Sequence, residues 1–131
     1  MRIARRLLFA VLALAAGCAR YRPALRGEFD VVHDPASGAT VVPRAEGGVE
    51  RTLVRHPDLP GPPLPIVVAV GNVAVFEAAR GVRDVDVAGD AAEVWFTPGK
   101  HVYVRGAHAG NSRLRLRIGR RQERFFPIEV R

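Results

Sequence analysis

The chain has 131 residues, of which 48% are hydrophobic and 25% charged, and its formal net charge at pH 7 is +7. This size allows one small domain with a terminal extension and excludes two independent domains. The single cysteine excludes an intrachain disulfide, so the core alone must hold the fold together.

The first seventeen residues have the pattern of an export signal. Arg2, Arg5 and Arg6 precede an uncharged apolar run over 7–16, which ends in small residues. A basic start, a short apolar run and a small-residue cleavage site are typical of a signal peptide. As a helix the run would span roughly 15 Å, about half of the hydrocarbon core, so it is too short for a transmembrane helix. We therefore predict that residues 1–17 form a signal helix that is cleaved.

The apolar run leads into the only cysteine, Cys18, and the four residues before it are Leu14, Ala15, Ala16 and Gly17. This segment resembles the lipobox of bacterial lipoproteins, except that Ala15 stands where leucine is usual. The resemblance implies that Cys18 becomes the new N-terminus and carries diacylglycerol and acyl chains such as palmitate, with no other cofactor. Because Ala19 rather than aspartate follows, it also implies an outer-membrane anchor on the periplasmic side. Two alternatives are a buried cysteine at a helix end and a free thiol after ordinary secretion.

Residues 18–27 are predicted to be an irregular tether that leaves the membrane. Arg20, Arg22 and Arg26 lie in this segment, where anionic head groups of the bilayer would attract them. For an exported chain, a basic surface indicates an anionic partner in the cell envelope rather than nucleic acid.

Two β-prone runs, 28–33 and 39–42, flank the turn-forming sequence Asp34-Pro35-Ala36-Ser37-Gly38. This pattern predicts a β-hairpin within 28–55, which must dock on the main domain or on a partner because an isolated hairpin is marginal in water. Five prolines then fall within 56–65 and predict a stiff spacer. The alternative is that this segment is a ligand for an aromatic groove.

From 66 to 131, seven short apolar runs recur about every ten residues and are separated by turn residues. Aliphatic and charged residues alternate within two of these runs, at 84–87 and 113–118, which places the aliphatic side chains inward and the charges in water. The pattern predicts an all-β fold, a seven-stranded immunoglobulin-like sandwich.

The valines and glycines of this region carry a resemblance to a known family. An apolar strand ends at Gly71, a valine-rich strand precedes an acidic turn over 82–90, and 102–114 has the spacing Val-x-Val-x-Gly followed by Gly-x-Ser-x-Leu. These features resemble the small β-sandwich at the N-terminus of pilus-assembly and secretin-type envelope proteins, and bacterial immunoglobulin-like repeats. The resemblance implies a module without catalytic residues, accessory to such a machine rather than its pore.

A series of arginines near the C-terminus is the strongest candidate binding feature. Three of them alternate along one predicted strand, about 7 Å apart, and others follow on the next turn and strand. They are Arg113, Arg115, Arg117, Arg120, Arg121 and Arg124. Guanidinium groups at this spacing suit phosphates, a carboxylated glycan or an acidic protein. The alternative is a solvated strand face that discourages edge-to-edge aggregation.

Adjacent aromatic residues cannot both lie in a one-sided core. Trp95 and Phe96 are neighbours on one predicted strand, and Phe125 and Phe126 on another, so each pair points to opposite faces. We expect the N-terminal hairpin to cover the outer aromatic side chains. The alternative is an exposed aromatic surface beside the arginines.

No pattern indicates catalysis. Asp84 and Asp86 share one predicted strand face and are expected to be solvated, while Ser37 and Ser112 lack the context of a nucleophile. The histidines lack a metal-binding spacing; they are His33, His56, His101 and His108. We therefore expect neither enzyme activity nor a metal site.

The leading hypothesis is a membrane-anchored lipoprotein that serves as a non-enzymatic accessory module of a secretion or pilus-type envelope machine. Its partners would be the lipid bilayer, through Cys18, and an envelope protein complex. The second hypothesis is a lipoprotein that binds cell-wall or surface polysaccharide. The third is a small hydrolase or an inhibitor of one.

Overall fold

The structure, a computed structural model, describes residues 20–36, 38–44, 65–77 and 81–131. The predicted signal 1–17, Cys18, residues 45–55 of the predicted hairpin segment and nearly all of the proline-rich segment lie outside these residues. Within them, all regular secondary structure is β. The strands are β1 (Tyr21–Pro23), β2 (Leu25–Arg26), β3 (Phe29–Asp34), β4 (Gly38–Pro43), β5 (Ile66–Val68), β6 (Val73–Glu77), β7 (Val82–Ala88), β8 (Ala92–Thr97), β9 (His101–Gly106), β10 (Gly110–Ile118) and β11 (Gln122–Val130).

The strands form three sheets. A five-stranded sheet has the order β1-β7-β10-β11-β5, a four-stranded sheet has the order β2-β8-β9-β6, and β3 and β4 form a separate pair. Neighbouring strands are antiparallel, except that β5 runs parallel to β11 and β2 runs parallel to β8. The predicted all-β class is confirmed, and the seven predicted runs correspond to β5 to β11.

The two larger sheets share one hydrophobic core. Leu114 and Ile128 of the five-stranded sheet belong to the same buried cluster as Phe76 and Val104 of the four-stranded sheet. Along β10 and β11 the buried side chains alternate with more exposed residues, as a sheet with one buried face requires. Residues Val73–Phe76 of β6 are all buried, because a second cluster covers the other face of this sheet. Each fully buried side chain of this kind contributes about 1.5–3 kcal/mol to folding, so this core holds the domain together.

The expected tether is wrong for residues 21–26, which are strands of the sandwich. β1 pairs with β7, from Tyr21 opposite Ala88 to Pro23 opposite Asp86, and β2 then pairs with β8 in the other sheet. Ala24 lies between these two strands, is 7% exposed, and donates its backbone N–H to the carbonyl of Val85 at 2.8 Å. The chain therefore crosses from one sheet to the other at Ala24, where only a small side chain fits between them.

The predicted hairpin is present as β3 and β4. Its turn begins with Asp34, whose Oδ1 accepts the backbone N–H of Ala36 at 2.9 Å, an arrangement that aspartate favours in turns. Gly38 ends the turn with a φ of 89°, and a side chain there would come within 2.5 Å of the carbonyl oxygen of Gly71. Glycine is therefore required by both the backbone angle and the close approach.

The hairpin packs on the outer face of the four-stranded sheet as a third layer. Phe29 and Val31 of β3 share a second buried cluster with Val73 of β6 and Tyr103 of β9, and Trp95 of β8 packs against it. The Tyr103 hydroxyl donates to the carbonyl of Phe29 at 3.0 Å, and burial raises the pKa of this phenol. The prediction that the hairpin covers an outer aromatic side chain is thus confirmed for Trp95, while Phe96 lies in the main core.

The elements on either side of the proline-rich segment belong to the same packed body. The strand before it, β4, contributes Val41 to the outer cluster, and the strand after it, β5, contributes Ile66 to the main core. The predicted spacer over 56–65 itself lies outside the described residues, apart from Pro65, so it stays a prediction. Within the described ranges, no helix has the length and hydropathy that would be needed to cross a membrane.

Candidate functional site

The outer face of the five-stranded sheet carries three of the arginines that were predicted to form a binding surface. Arg113, Arg115 and Arg117 lie on β10, the central strand, opposite Ala88, Asp86 and Asp84 of β7. On their other side they face Pro127, Phe125 and Glu123 of β11. The register therefore places carboxylates and apolar side chains beside the three arginines, so that they do not form an uninterrupted basic surface.

Arg115 is committed to contacts within the protein. Its Nε and Nη2 atoms donate to Oδ2 of Asp86 at 3.1 and 3.0 Å, and its guanidinium carbon lies 4.4 Å from the centre of the Tyr21 ring. The side chain is half-buried, and the Tyr21 ring also meets Phe125 edge-on at 6.0 Å. A charge-assisted hydrogen bond together with a cation–π contact fixes the guanidinium in place, so Arg115 is a structural residue.

The expectation that both aspartates of β7 are solvated is wrong for Asp86. It is 8% exposed, whereas Asp84 on the same strand is exposed. The cause is β1, the strand taken for a tether, which pairs alongside Asp86 through Pro23 and brings the Tyr21 ring over Arg115. The sequence alternation assumed a free outer face at this position, and that assumption was wrong.

Arg117 is also engaged with neighbouring carboxylates, more loosely than Arg115. Its Nε atom lies 3.6 Å from Oδ2 of Asp86 and 3.9 Å from Oε1 of Glu123, and the side chain remains 47% exposed. Exposed pairs at these distances contribute little to stability, so Arg117 can exchange its partners at small cost.

The remaining arginines of the predicted surface are exposed, and within the described ranges none of them has an ion pair. Arg113 lies towards the first end of β10, and Arg120 and Arg121 occupy the turn between β10 and β11. Arg124 follows on β11, and Arg83, which sequence reasoning missed, lies on β7 next to the pairing irregularity that separates Arg117 from Ile118. We call the four residues around the turn, Arg83, Arg120, Arg121 and Arg124, the arginine end of the sheet.

A cleft of about 320 Å³ lies where the chain crosses between the two sheets. Its charged lining residues are Arg26, Asp84, Asp86 and Arg117, and the backbone crossing at Pro23 and Ala24 forms one wall. The cleft places two carboxylates beside two guanidinium groups, and none of its lining residues is a serine, cysteine or histidine. Asp86 is already hydrogen-bonded to Arg115, so the two aspartates do not form a pair available for acid–base chemistry.

Phe125 remains on the surface beside the arginines. Its side chain is 43% exposed, while its neighbour Phe126 is buried in the main core. The expectation that the hairpin covers the outer aromatic residues is therefore wrong for Phe125, because the hairpin lies on the other sheet. The sequence shows that one member of each aromatic pair must lie outside the core, but it does not show which sheet the hairpin packs on.

The three histidines of the described ranges, His33, His101 and His108, do not form one cluster; His56 lies outside these ranges. His101 stacks at an angle on Tyr103 with 6.0 Å between ring centres, and His108 lies 3.3 Å from Asp90 on the surface. Within the described ranges, no group of three or more histidine, cysteine or acidic residues is arranged to hold a metal ion.

No protein-family model, curated protein or solved structure matches the chain. The functional proposal is therefore supported by the chain's own residues and by the resemblances of its sequence.

Proposed function

We propose that the chain is a membrane-anchored lipoprotein whose immunoglobulin-like head acts as a non-enzymatic binding module of the cell envelope. It would be accessory to a secretion or pilus-type machine. The observation that carries the proposal is the run from Leu14 to Gly17 into the only cysteine, Cys18, followed by strand β1 only three residues later. Two or more acyl chains on Cys18 would hold this head durably at a bilayer, whereas a single chain gives marginal binding.

The shape of the head supports binding rather than chemistry. The described residues fill a packed core, and the cleft between the sheets is lined by carboxylates that are close to arginines. What the head offers to a partner is exposed charge, chiefly at the arginine end. Guanidinium groups in such a setting recognise carboxylates or phosphates on another molecule.

The anchor is tested by replacing the lipid-bearing residue, Cys18→Ser. The expected result is that the wild-type chain pellets with membranes and is released by detergent, whereas the variant retains its signal peptide or leaves the membrane fraction. Membrane fractionation with intact mass measurement reads both outcomes. An unchanged distribution and an unchanged mass would contradict lipid attachment.

A second candidate function is binding to cell-wall or surface polysaccharide, which would anchor the head to the wall. The exposed ring of Phe125 close to exposed arginines favours it, because aromatic faces and guanidinium groups together suit acidic sugars. Detergent extraction followed by size-exclusion chromatography separates the two functions. A stoichiometric protein complex supports the machine subunit, whereas sedimentation with purified sacculi supports the polysaccharide binder.

A further inference from the structure

The arginine end combines exposed positive charge with a strand edge. Residues Arg120, Arg121 and Arg124 lie around the start of β11, and Arg83 lies at the same end of the sheet on β7. All four side chains are exposed, and in the described part of the chain none has an ion-pair partner. Such a group of unpaired guanidinium groups attracts an acidic partner over the distance of the ionic screening length.

The edge belongs to the first part of β11. Strand β5 pairs with β11 only over Ile128–Val130, and no other strand of the described ranges pairs with that side over Gln122–Pro127. The backbone N–H of Arg131 donates towards β5, to the carbonyl of Val68, so the N–H groups of Glu123 and Phe125 point to the same side. Pro127 has no N–H at this edge, which is where a sheet tolerates proline.

The direction of β1 indicates that the turn of the arginine end lies away from the lipid attachment point. Tyr21 lies in the row of Ala88 and Arg113, and β1 runs from there towards the arginine end, so Arg20 lies towards the opposite end. The turn after β10 is about 23 Å from the row of Arg20, at roughly 3.3 Å per residue. Cys18 can reach no more than roughly 7 Å from Arg20, so the turn that carries Arg120 and Arg121 stays at least about 15 Å from the lipid attachment point.

The chemistry of the neighbouring surface selects a polypeptide over a small anion. The adjacent cleft sets Asp84 and Asp86 against Arg26 and Arg117, so its charged side chains offer a small anion no net positive charge. A strand edge, in contrast, offers backbone hydrogen bonds that only another polypeptide in extended conformation can complete. The half-exposed ring of Phe125 adds an apolar contact next to this edge.

We propose that the arginine end and the edge of β11 over Glu123–Phe125 together bind an acidic, extended segment of a partner protein, at the end of the sheet that lies opposite the anchored end. This proposal deepens the machine-subunit function above and rests on it for the orientation. The partner strand adds to the sheet, its backbone pairs with Glu123 and Phe125, and its carboxylates meet Arg120, Arg121 and Arg124.

The test uses two synthetic peptides of equal charge, a ten-residue repeat of threonine and glutamate and a ten-residue repeat of proline and glutamate. The first can form a strand and the second cannot donate backbone hydrogen bonds at its prolines. Binding to the full chain as it purifies from cells is measured by calorimetry at two salt concentrations. We expect the threonine peptide to bind and to slow hydrogen exchange at the Phe125 amide, with weaker binding of the proline peptide.

Two charge-matched triple variants locate the site. Replacing Arg120, Arg121 and Arg124 with glutamine should weaken binding of the threonine peptide about tenfold and flatten its salt dependence, because three exposed ion pairs are lost. The control variant replaces Arg20, Arg113 and Arg131, which lie towards the other end, and should bind within about twofold of wild type because it leaves all the arginines of the proposed site in place.

Several outcomes would overturn this assignment. Three of them are an equal loss of peptide affinity in both triple variants, equal binding of the two peptides, and a Phe125 amide that is already protected from hydrogen exchange in the free chain. The fourth is that the chain binds neither peptide but does bind vesicles that contain phosphatidylglycerol. The chain's membrane fractionation is read separately. If the chain bound the peptide but was not membrane-bound, this result would contradict lipid anchoring and would still support the peptide-binding site.

Discussion

At the scale of single residues, Asp86 links the candidate surface to the stability of the fold. Its carboxylate is buried and accepts two hydrogen bonds from Arg115, whose guanidinium stacks on Tyr21. A buried carboxylate is tolerated only with such partners, and removal of the charge leaves a half-buried guanidinium unpaired. The group therefore couples β1, β7 and β10, and it fixes one of the three predicted arginines in a structural role.

Asp86→Asn should lower the free energy of unfolding by about 2 kcal/mol, because Arg115 loses a charged partner without any change of shape at residue 86. Asp84→Asn is the matched control on the same strand, since Asp84 is exposed and has no ion pair in the described ranges. Its effect should stay within about 0.5 kcal/mol. Urea unfolding of both variants measures the difference, and equal losses would argue against a special role for Asp86.

At the scale of elements, the segment after Cys18 adds an edge strand to each of the two larger sheets. β1 lies on the edge of the five-stranded sheet and β2 on the edge of the four-stranded sheet, so a stretch of six residues joins the two. The crossing depends on Ala24, which belongs to the main core, whereas the next side chain, Leu25, is 61% exposed.

These two neighbours give a direct test of whether the segment is a strand or a tether. Ala24→Asp should destabilise the fold by about 3 kcal/mol or more, because it places a charge in the core. Leu25→Asp should change stability by less than about 0.5 kcal/mol, since its side chain is in solvent. Thermal unfolding followed by circular dichroism compares the two. If both variants unfolded at the same temperature as the wild type, the segment would be a tether and not a pair of strands.

The elements also show what could and could not be predicted from the sequence. The strands β5 to β11 were predictable because their apolar residues alternate and their turns contain glycine. β1 and β2 were not, because two- and three-residue edge strands that contain arginine and proline have no pattern of their own, and their partners in the sheets supply the hydrogen bonds.

The candidate site was predictable only in part for the same reason. The sequence identifies Arg120 and Arg121 as turn residues and therefore as exposed. It does not reveal that Arg115 is held by Asp86, because that contact depends on the pairing of β7 with β10, two strands that are distant in the sequence. Arg83 was missed since it lies far along the chain from the other arginines, and only the pairing of β7 with β10 brings it to the same end.

At the scale of the whole molecule, the proposals give the two ends of the sandwich different roles. Arg20 precedes β1 towards one end, and a lipid on Cys18 would hold that end within a few residues of a bilayer. The arginine end lies at the other extremity of β10 and β11. With such an anchor the head would stand close to the membrane, and the arginines of the turn would lie at the end away from it.

The most direct test of this account is the depth of the two ends relative to the bilayer. Because Cys18 is the only cysteine and would be blocked by lipid, a fluorophore can be attached to a single new cysteine in Asn111→Cys or Arg121→Cys, at opposite ends of the β10–β11 hairpin. In vesicles that carry a head-group quencher, the label at 111 should be quenched strongly and the label at 121 only weakly, since about 25 Å of strand separates them. Equal quenching at both positions, or stronger quenching at 121, would contradict an anchored head with its arginines turned away from the membrane.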